Sequence, residues 1–176
     1  LQFIQSETEK IMTIKIGDKI PSVTLKHMTA DGMQDISTDS VFANKKVVMF
    51  AVPGAYTPTC TAKHLPSYLN NMAEFTSRGI TVVCMAVNDP FVMKHWAEEH
   101  KATAITMLPD GSAVFSKAMG LDMDASSYGM GIRSQRFALY AENGVVKSIA
   151  VEQPGKFEVS SGEAMLKTIG GMKAAA

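Results

Sequence analysis

One short run concentrates the chemistry of this chain: Pro53-Gly54-Ala55-Tyr56-Thr57-Pro58-Thr59-Cys60. A thiol is a nucleophile only as its thiolate, so what matters about Cys60 is the charge around its sulfur. Thr57-Pro58 reads as a helix start, with Thr at the N-cap and Pro at the first helical position. Cys60 then falls in the first turn. Backbone N–H groups there lack partners and the helix dipole places partial positive charge, which favours an anionic sulfur. The Thr57 hydroxyl, one turn earlier, could cap the helix or donate to the sulfur or to an oxygen bound beside it. Pro53 could shield the sulfur from water. Taken alone, Cys60 reads equally as a small buried hydrophobe, the usual fate of a free cysteine. The second cysteine, Cys84, lies in Thr81-Val82-Val83-Cys84-Met85-Ala86, whose apolar flanks point to an inert thiol inside a buried strand.

The elements that must position these groups alternate strand with helix, which argues for an α/β domain with a largely parallel sheet. Val47–Val52 is a continuous apolar run, as in a strand covered on both faces. The helix from Thr57 is expected to run to about Ser77, with Leu65, Leu69, Met72 and Phe75 or Thr76 as its inner stripe. Pro66 should kink it, and Arg78-Gly79 should close it. Ile80–Val87 is a second buried strand, and Asn88-Asp89-Pro90 opens a helix to about His100. A short strand at Ile105–Leu108 and a short helix at Ser112–Met119 follow. Gln135–Ala141 and Val145–Val151 flank Glu142-Asn143-Gly144, a hairpin signal. Ser160-x-x-Glu163 is a capping box for a last helix ending near Gly170. Thr13–Leu25 is expected to add one or two short edge strands. Residues 1–11 are polar, without a basic segment followed by an apolar core, and so are no signal peptide. They are expected to be a flexible leader or an expression-derived segment, with Met12 as a second possible start, ahead of one domain over 12–176.

The run ending at Cys60 resembles the peroxiredoxin signature Pro-x-x-x-Thr-x-x-Cys. Its continuation Cys60-Thr61-Ala62-Lys63-His64-Leu65-Pro66-Ser67-Tyr68 is similar to the type II, peroxiredoxin-five-like branch. So are Val87-Asn88-Asp89-Pro90-Phe91-Val92-Met93 and Arg133-Ser134-Gln135-Arg136-Phe137. The resemblance implies a thioredoxin-like fold: a central mixed sheet with helices on both faces and an N-terminal extension. It implies a thiol-dependent peroxidase acting on hydrogen peroxide and small alkyl hydroperoxides, with Cys60 as nucleophile, Thr57 positioning peroxide or thiolate, and Pro53 excluding water. Arg133 would be the arginine that holds the thiolate and polarises the peroxide, with Arg136 in a supporting position. The product would be a sulfenic acid on Cys60, the first step of thiol oxidation. Some relatives carry a resolving cysteine near the C-terminal segment. Here that region reads Phe157-Glu158-Val159-Ser160-Ser161, which rules out the corresponding disulfide. Cys84 is the remaining resolving candidate, and reaching Cys60 would demand local unwinding. An external thiol is therefore expected, glutathione with glutaredoxin ahead of thioredoxin. The resemblance also implies a homodimer, and Tyr56, Phe91 and Met93 are expected near its rim.

The chain has 176 residues, with Lys plus Arg and Asp plus Glu both at 17. That balance gives no footprint for nucleic acid and no pull toward an anionic membrane. No apolar run approaches a membrane span. Two cysteines are too few for a secreted disulfide framework, so reduced thiols in the cytoplasm are expected. His95 and His100 are five apart, the wrong spacing for a helical metal pair. Asp122-x-Asp124-x-Ser126 starts like a calcium loop but lacks the sixth-position Gly and has Arg133 where the bidentate Glu belongs. Gly129-x-Gly131 lacks the third Gly of a dinucleotide loop. No metal or organic cofactor is expected. His64, one turn after Cys60, reads first as structural and second as a base. A reading from another class stays open: a peroxide sensor or holdase-type interaction protein whose Cys60 oxidises but turns over slowly. The absence of Cys-x-x-Cys weighs against a thiol oxidoreductase.

Overall fold

The computed structural model describes residues 12–172; the expected leader, 1–11, lies outside the described residues. Its centre is the apolar run around Val47. Strand β3 (Lys46–Val52) has every residue after Lys46 buried, and its alternating side chains feed two separate cores. Val48, Phe50 and Val52 join one and Val47, Met49 and Ala51 the other. A strand buried on both faces must lie inside a sheet. It pairs in parallel with β4 (Ile80–Ala86) and antiparallel with β8 (Phe137–Glu142). With β5 (Thr106–Pro109) and β9 (Val145–Val151) these make a mixed sheet of five strands in the order β5-β4-β3-β8-β9.

Helices cover both faces. The first core takes Leu65 and Tyr68 from α2 (Leu65–Leu69), Phe75 from α3 (Met72–Ser77), Met93 and Trp96 from α4 (Pro90–Glu99), and Met165 from α6 (Gly162–Gly170). The second takes Val41 and Phe42 from α1 (Thr38–Phe42) and Phe115 from α5 (Val114–Ala118). The expected central mixed sheet with helices on both faces is present. Asn143 and Gly144, with φ of 48° and 74°, form the tight turn of the β8–β9 hairpin, the conformation that Asn-Gly favours.

Four local expectations need correction. The helix after Cys60 is not one kinked rod. Pro66 has no N–H, and its ring would strike the carbonyl four residues back. The preceding turn, Cys60–His64, widens to π geometry, so that the Leu65 N–H reaches the Cys60 carbonyl. A second break falls at Asn70–Asn71, where the Asn71 side chain donates to the Ser67 carbonyl at 2.7 Å instead of continuing the helix. The early edge strands are absent from 13–23. Gly17 at φ 93° and Pro21 interrupt that segment, leaving a single bridge between Lys19 and Val145. A separate hairpin follows instead, β1 (Thr24–Thr29) with β2 (Gly32–Ser37). The N-cap of α6 is Ser161, whose hydroxyl accepts from the Ala164 N–H at 3.1 Å. Finally, Met93 is fully buried and not on a rim.

Strand register brings the useful ends together. Ala51 faces Phe137, Val52 faces Ala86, and Phe137 faces Val151. The segments after β3, after β4, before β8 and after β9 therefore meet at one end of the sheet.

Packing of α6 onto the active helix is tightest at Gly162. A Cβ there would lie 2.3 Å from the Ser67 carbonyl oxygen and 3.2 Å from the Tyr68 Cα. Backbone cannot yield as a side chain does, so Gly162→Ala should lower stability by about 1–3 kcal/mol. Urea denaturation checks this, and an unchanged midpoint would contradict the packing.

Candidate active site

Residues 53–60 form a tight loop and helix start at that sheet end. The helix begins at Pro58, and the Thr57 carbonyl accepts from the Thr61 N–H at 3.0 Å. Thr57 thus stands at the N-cap, but its hydroxyl donates back to the Gly54 carbonyl at 2.8 Å. An oxygen that donates there keeps lone pairs to accept from a ligand. Two long-range contacts pin the loop. The Ala55 N–H donates to Asn88 Oδ1 at 2.9 Å, and Arg133 Nη1 donates to the Pro53 carbonyl at 3.4 Å. Gly54 lies close under this contact: a Cβ on it would come within 2.9 Å of Arg133 Nη1 and displace that arm.

Cys60 lies in the first turn with no exposed surface. The guanidinium on its sulfur belongs to Arg136, with Nη2 at 3.1 Å from Sγ. This corrects the expectation from sequence: Arg133 bonds Pro53 and Met130 carbonyls and braces the loop. The physical reason is a hairpin the sequence did not reveal. β7 (Ile132–Ser134) pairs with β6 (Asp122–Asp124) and carries Arg133 into that ribbon. Arg136, just ahead of β8, is left facing the helix start.

The second arm of the Arg136 fork, Nη1, lies 2.8 Å from His64 Nδ1. His64 is buried, and its Nε2 lies 2.9 Å from the Ser160 carbonyl. A carbonyl only accepts, so Nε2 carries the proton and Nδ1 is the acceptor for the arginine. Burial first, and the Arg136 charge second, lower the His64 pKa to about 3. His64 is therefore a neutral acceptor with both nitrogens engaged, which removes it as a base. The Ser160 carbonyl also accepts from Tyr68 Oη at 2.7 Å. Ser160 is fixed in turn by Glu152, which receives the Ser160 hydroxyl at 2.7 Å and the N–H groups of Glu158, Val159 and Ser160. Burial would raise the Glu152 pKa, but these donors outweigh it and hold the carboxyl below its usual range. The Phe157 ring lies 5.9 Å from the Arg136 guanidinium carbon, within cation–π range. Beside Arg136 opens a cleft of about 370 Å³ lined by Pro53, Thr59, Met123, Gln135 and the 152–156 loop.

Cys84 is fully buried in β4, opposite Phe50 and Met107. Burial, then the neighbouring Cys60, push its thiol well above the usual range. Both cysteines are free. Of the expected site residues, Cys60, Thr57, Pro53 and Arg133 therefore share one sheet end. The sequence reading gave Arg136 only a supporting position and His64 a structural one ahead of a base, and it missed Glu152. The one legible signal for Arg136 was its place next to the apolar run from Phe137.

A family model described as Redoxin matches residues 15–166. Peroxiredoxin-2D of Arabidopsis thaliana is 41% identical over 159 residues, covering 89% of this chain and 98% of that protein. Hybrid peroxiredoxin hyPrx5 of Haemophilus influenzae is 39% identical over 86% of this chain and 64% of its own length. Among solved structures, reduced Prx3 of Vibrio vulnificus in complex with hydrogen peroxide superposes with a TM-score of 0.86 at 45% identity, covering 89% of this chain and 99% of that one. Peroxiredoxin 5 of Alvinella pompejana gives 0.79 at 33% identity over 89% and 98% of the two chains. These share the thioredoxin-like architecture described above.

The depressed pKa of His64 sets a pH dependence of stability. Arg136, Glu152 and Tyr68 are the titratable groups that act on or pack against the ring. An unfolded His protonates near 6.5 and the folded one only near 3, so the unfolded state binds more protons in between. The contribution is complete above about pH 6.5 and is lost as pH falls toward 3. Stability should drop by about 2–3 kcal/mol between pH 6.5 and 4 from this group alone. Comparison with His64→Gln isolates that share from the carboxylates; equal slopes in urea titrations of the two proteins would contradict a buried neutral His64.

Proposed function

This chain belongs to the peroxiredoxins of the thioredoxin-like superfamily and is a thiol-dependent peroxidase, and from that premise we propose that Cys60 is its peroxidatic nucleophile and Arg136 the cation that serves it. The observation that carries the reading is the 3.1 Å contact between Arg136 Nη2 and Cys60 Sγ at the start of a helix. The guanidinium and the free first-turn N–H groups stabilise a thiolate without removing its lone pairs from attack.

The thiolate attacks one peroxide oxygen. The S–O bond forms as the O–O bond breaks, sulfur is oxidised by two electrons, and the leaving oxygen departs as hydroxide or alkoxide and takes a proton from water. Charge develops on both oxygens, and fixed donors aimed at them lower the barrier. Arg136 suits this because its planar fork stays protonated while holding sulfur with one arm. Thr57 Oγ1, its proton committed to the Gly54 carbonyl, accepts a hydrogen bond from the peroxide O–H and aligns the molecule. Pro53 and the pinned loop exclude water. Arg133 acts at one remove by bracing Pro53.

The resulting sulfenic acid is recycled by an external thiol, which condenses on it to a mixed disulfide with loss of water before a second thiol frees Cys60. Glutathione with glutaredoxin is favoured over thioredoxin. Cys84 supports this by its burial and its raised pKa, which make it a poor resolving thiol. Exposed Tyr56 and Phe91 near the site support a homodimer through that edge, and two reduced thiols suit the cytoplasm. Hydrogen peroxide and small alkyl hydroperoxides are the substrates.

Intact mass within a second of adding one equivalent of hydrogen peroxide tests the chemistry. One added oxygen, absent in Cys60→Ser, is expected; loss of two hydrogens would make Cys84 resolving. Arg136→Gln should slow oxidation by about 10²-fold or more, and Arg133→Gln less. The reverse order would restore Arg133 as the partner. Recycling that proceeds with thioredoxin and not with glutathione plus glutaredoxin would overturn the favoured reductant, and sedimentation of the reduced protein reads the dimer.

A further inference from the structure

A guanidinium on a flexible side chain loses value as an electrostatic partner if it can swing. Arg136 is only partly buried, borders the open cleft, and has no carboxylate salt-bridge partner among the described residues. Its Nη2 points at Cys60 and its Nη1 at His64 Nδ1, 3.1 and 2.8 Å away. A second donor–acceptor contact is what fixes a planar fork in one orientation. We propose that His64 is a positioning residue of the peroxidase reaction, holding Arg136 on the Cys60 sulfur as the inner end of a chain that runs Glu152–Ser160–His64–Arg136.

Each link is directional. Glu152 accepts three backbone N–H groups and the Ser160 hydroxyl, which locks the 158–160 turn. The locked Ser160 carbonyl accepts from His64 Nε2, which forces the tautomer whose Nδ1 carries a lone pair. That lone pair accepts the hydrogen bond that Arg136 Nη1 donates. The ring cannot turn over, because it packs against Phe50 and Phe157 at centroid distances of 5.0 and 4.9 Å. His64 and Cys60 sit at the two ends of the same π-turn, so the turn forced by Pro66 sets the spacing between the two groups the fork must bridge. A protonated or rotated His64 would present a donor to a donor and release the arginine toward the cleft.

The proposal rests on the reading of Cys60 as nucleophile and Arg136 as its cation. A double-mutant cycle on the second-order rate of Cys60 oxidation by hydrogen peroxide tests it. The proteins are wild type, His64→Phe, Arg136→Gln and the double variant. Loss of the acceptor should slow oxidation about 10- to 100-fold in the presence of Arg136. In the Arg136→Gln background the same change should cost less than about threefold, because the arm it positions is gone. His64→Gln offers one acceptor and one donor and should recover most of the rate. Oxidation of His64→Phe at the wild-type rate, or an equal slowing in both backgrounds, overturns the proposal. Should His64→Phe not fold, the cycle is run with His64→Asn, and additivity there is equally decisive. A wild-type protein that gains no oxygen on Cys60 would mark failure of the underlying reading instead.

Discussion

With Cys60 as the nucleophile proposed above, the site depends on how one buried sulfur is kept reactive. Cys60 has no exposed surface, and an anion taken out of water is costly unless a partner replaces the lost hydration. Arg136 is that partner. Its planar head can satisfy the sulfur and still offer a second donor elsewhere, which an ammonium on a flexible stem would do without a fixed direction. The second donor needs an acceptor that stays neutral, since a carboxylate in that place would compete with the thiolate for the arginine. His64 meets the requirement because burial keeps it uncharged and its one N–H donates to the Ser160 carbonyl.

The remainder of the molecule explains why these groups meet at all. They come from sequence positions as far apart as 60, 64, 136, 152 and 160. The pairing of β3 with β8, and of β8 with β9, places the flanking segments at one sheet end. The helix that carries Cys60 and His64 packs into one core through Leu65 and Tyr68, together with Phe75 of α3, Phe50 of β3 and Met165 of α6. Phe50 stacks on Tyr68 with centroids 4.0 Å apart, so the central strand, the active helix and the Ser160 turn share one aromatic contact. Sheet register and core packing thus fix the donors before any substrate arrives, as electrostatic stabilisation requires.

What could be read in the sequence follows the range of the forces concerned. The buried strands, the Pro58 helix start and the Asn143-Gly144 turn are written in local residue types, and each lies where expected. The fork of Arg136 is not local. Arg133 and Arg136 are three residues apart in one polar stretch, and the choice between them depends on β6 pairing with β7. That short ribbon has no hydrophobic alternation to announce it. The capping box failed for a similar reason. Ser160 has the right spacing to Glu163, but its hydroxyl is drawn to Glu152 and the Glu163 carboxylate to Asn71, so the cap passes to Ser161. The π-turn was half legible: Pro66 announced a defect, but not that it would be absorbed upstream, where it carries the nucleophile.

The same geometry bears on the recycling proposed for Cys60. A second thiol must contact Cys60, and a fully buried atom cannot be met without movement. Two elements could move. Cys84 lies in a strand paired on both sides, by β3 at Phe50 and by β5 at Met107, so bringing it to Cys60 means breaking two parallel ladders inside the core. The π-turn is the cheaper unit. It is a single widened turn at a helix start, with Pro66 already lacking its N–H, and Ala62 and Lys63 already exposed. Its opening would turn the sulfur toward the cleft beside Arg136 while the sheet stays intact. On the reaction proposed for Cys60, oxidation itself weakens the anchor, because a sulfenic acid holds a guanidinium less strongly than a thiolate does. On that proposal the fork on the reduced sulfur is loosened by the product of the reaction, which supports a thiol arriving from outside over one released from the core.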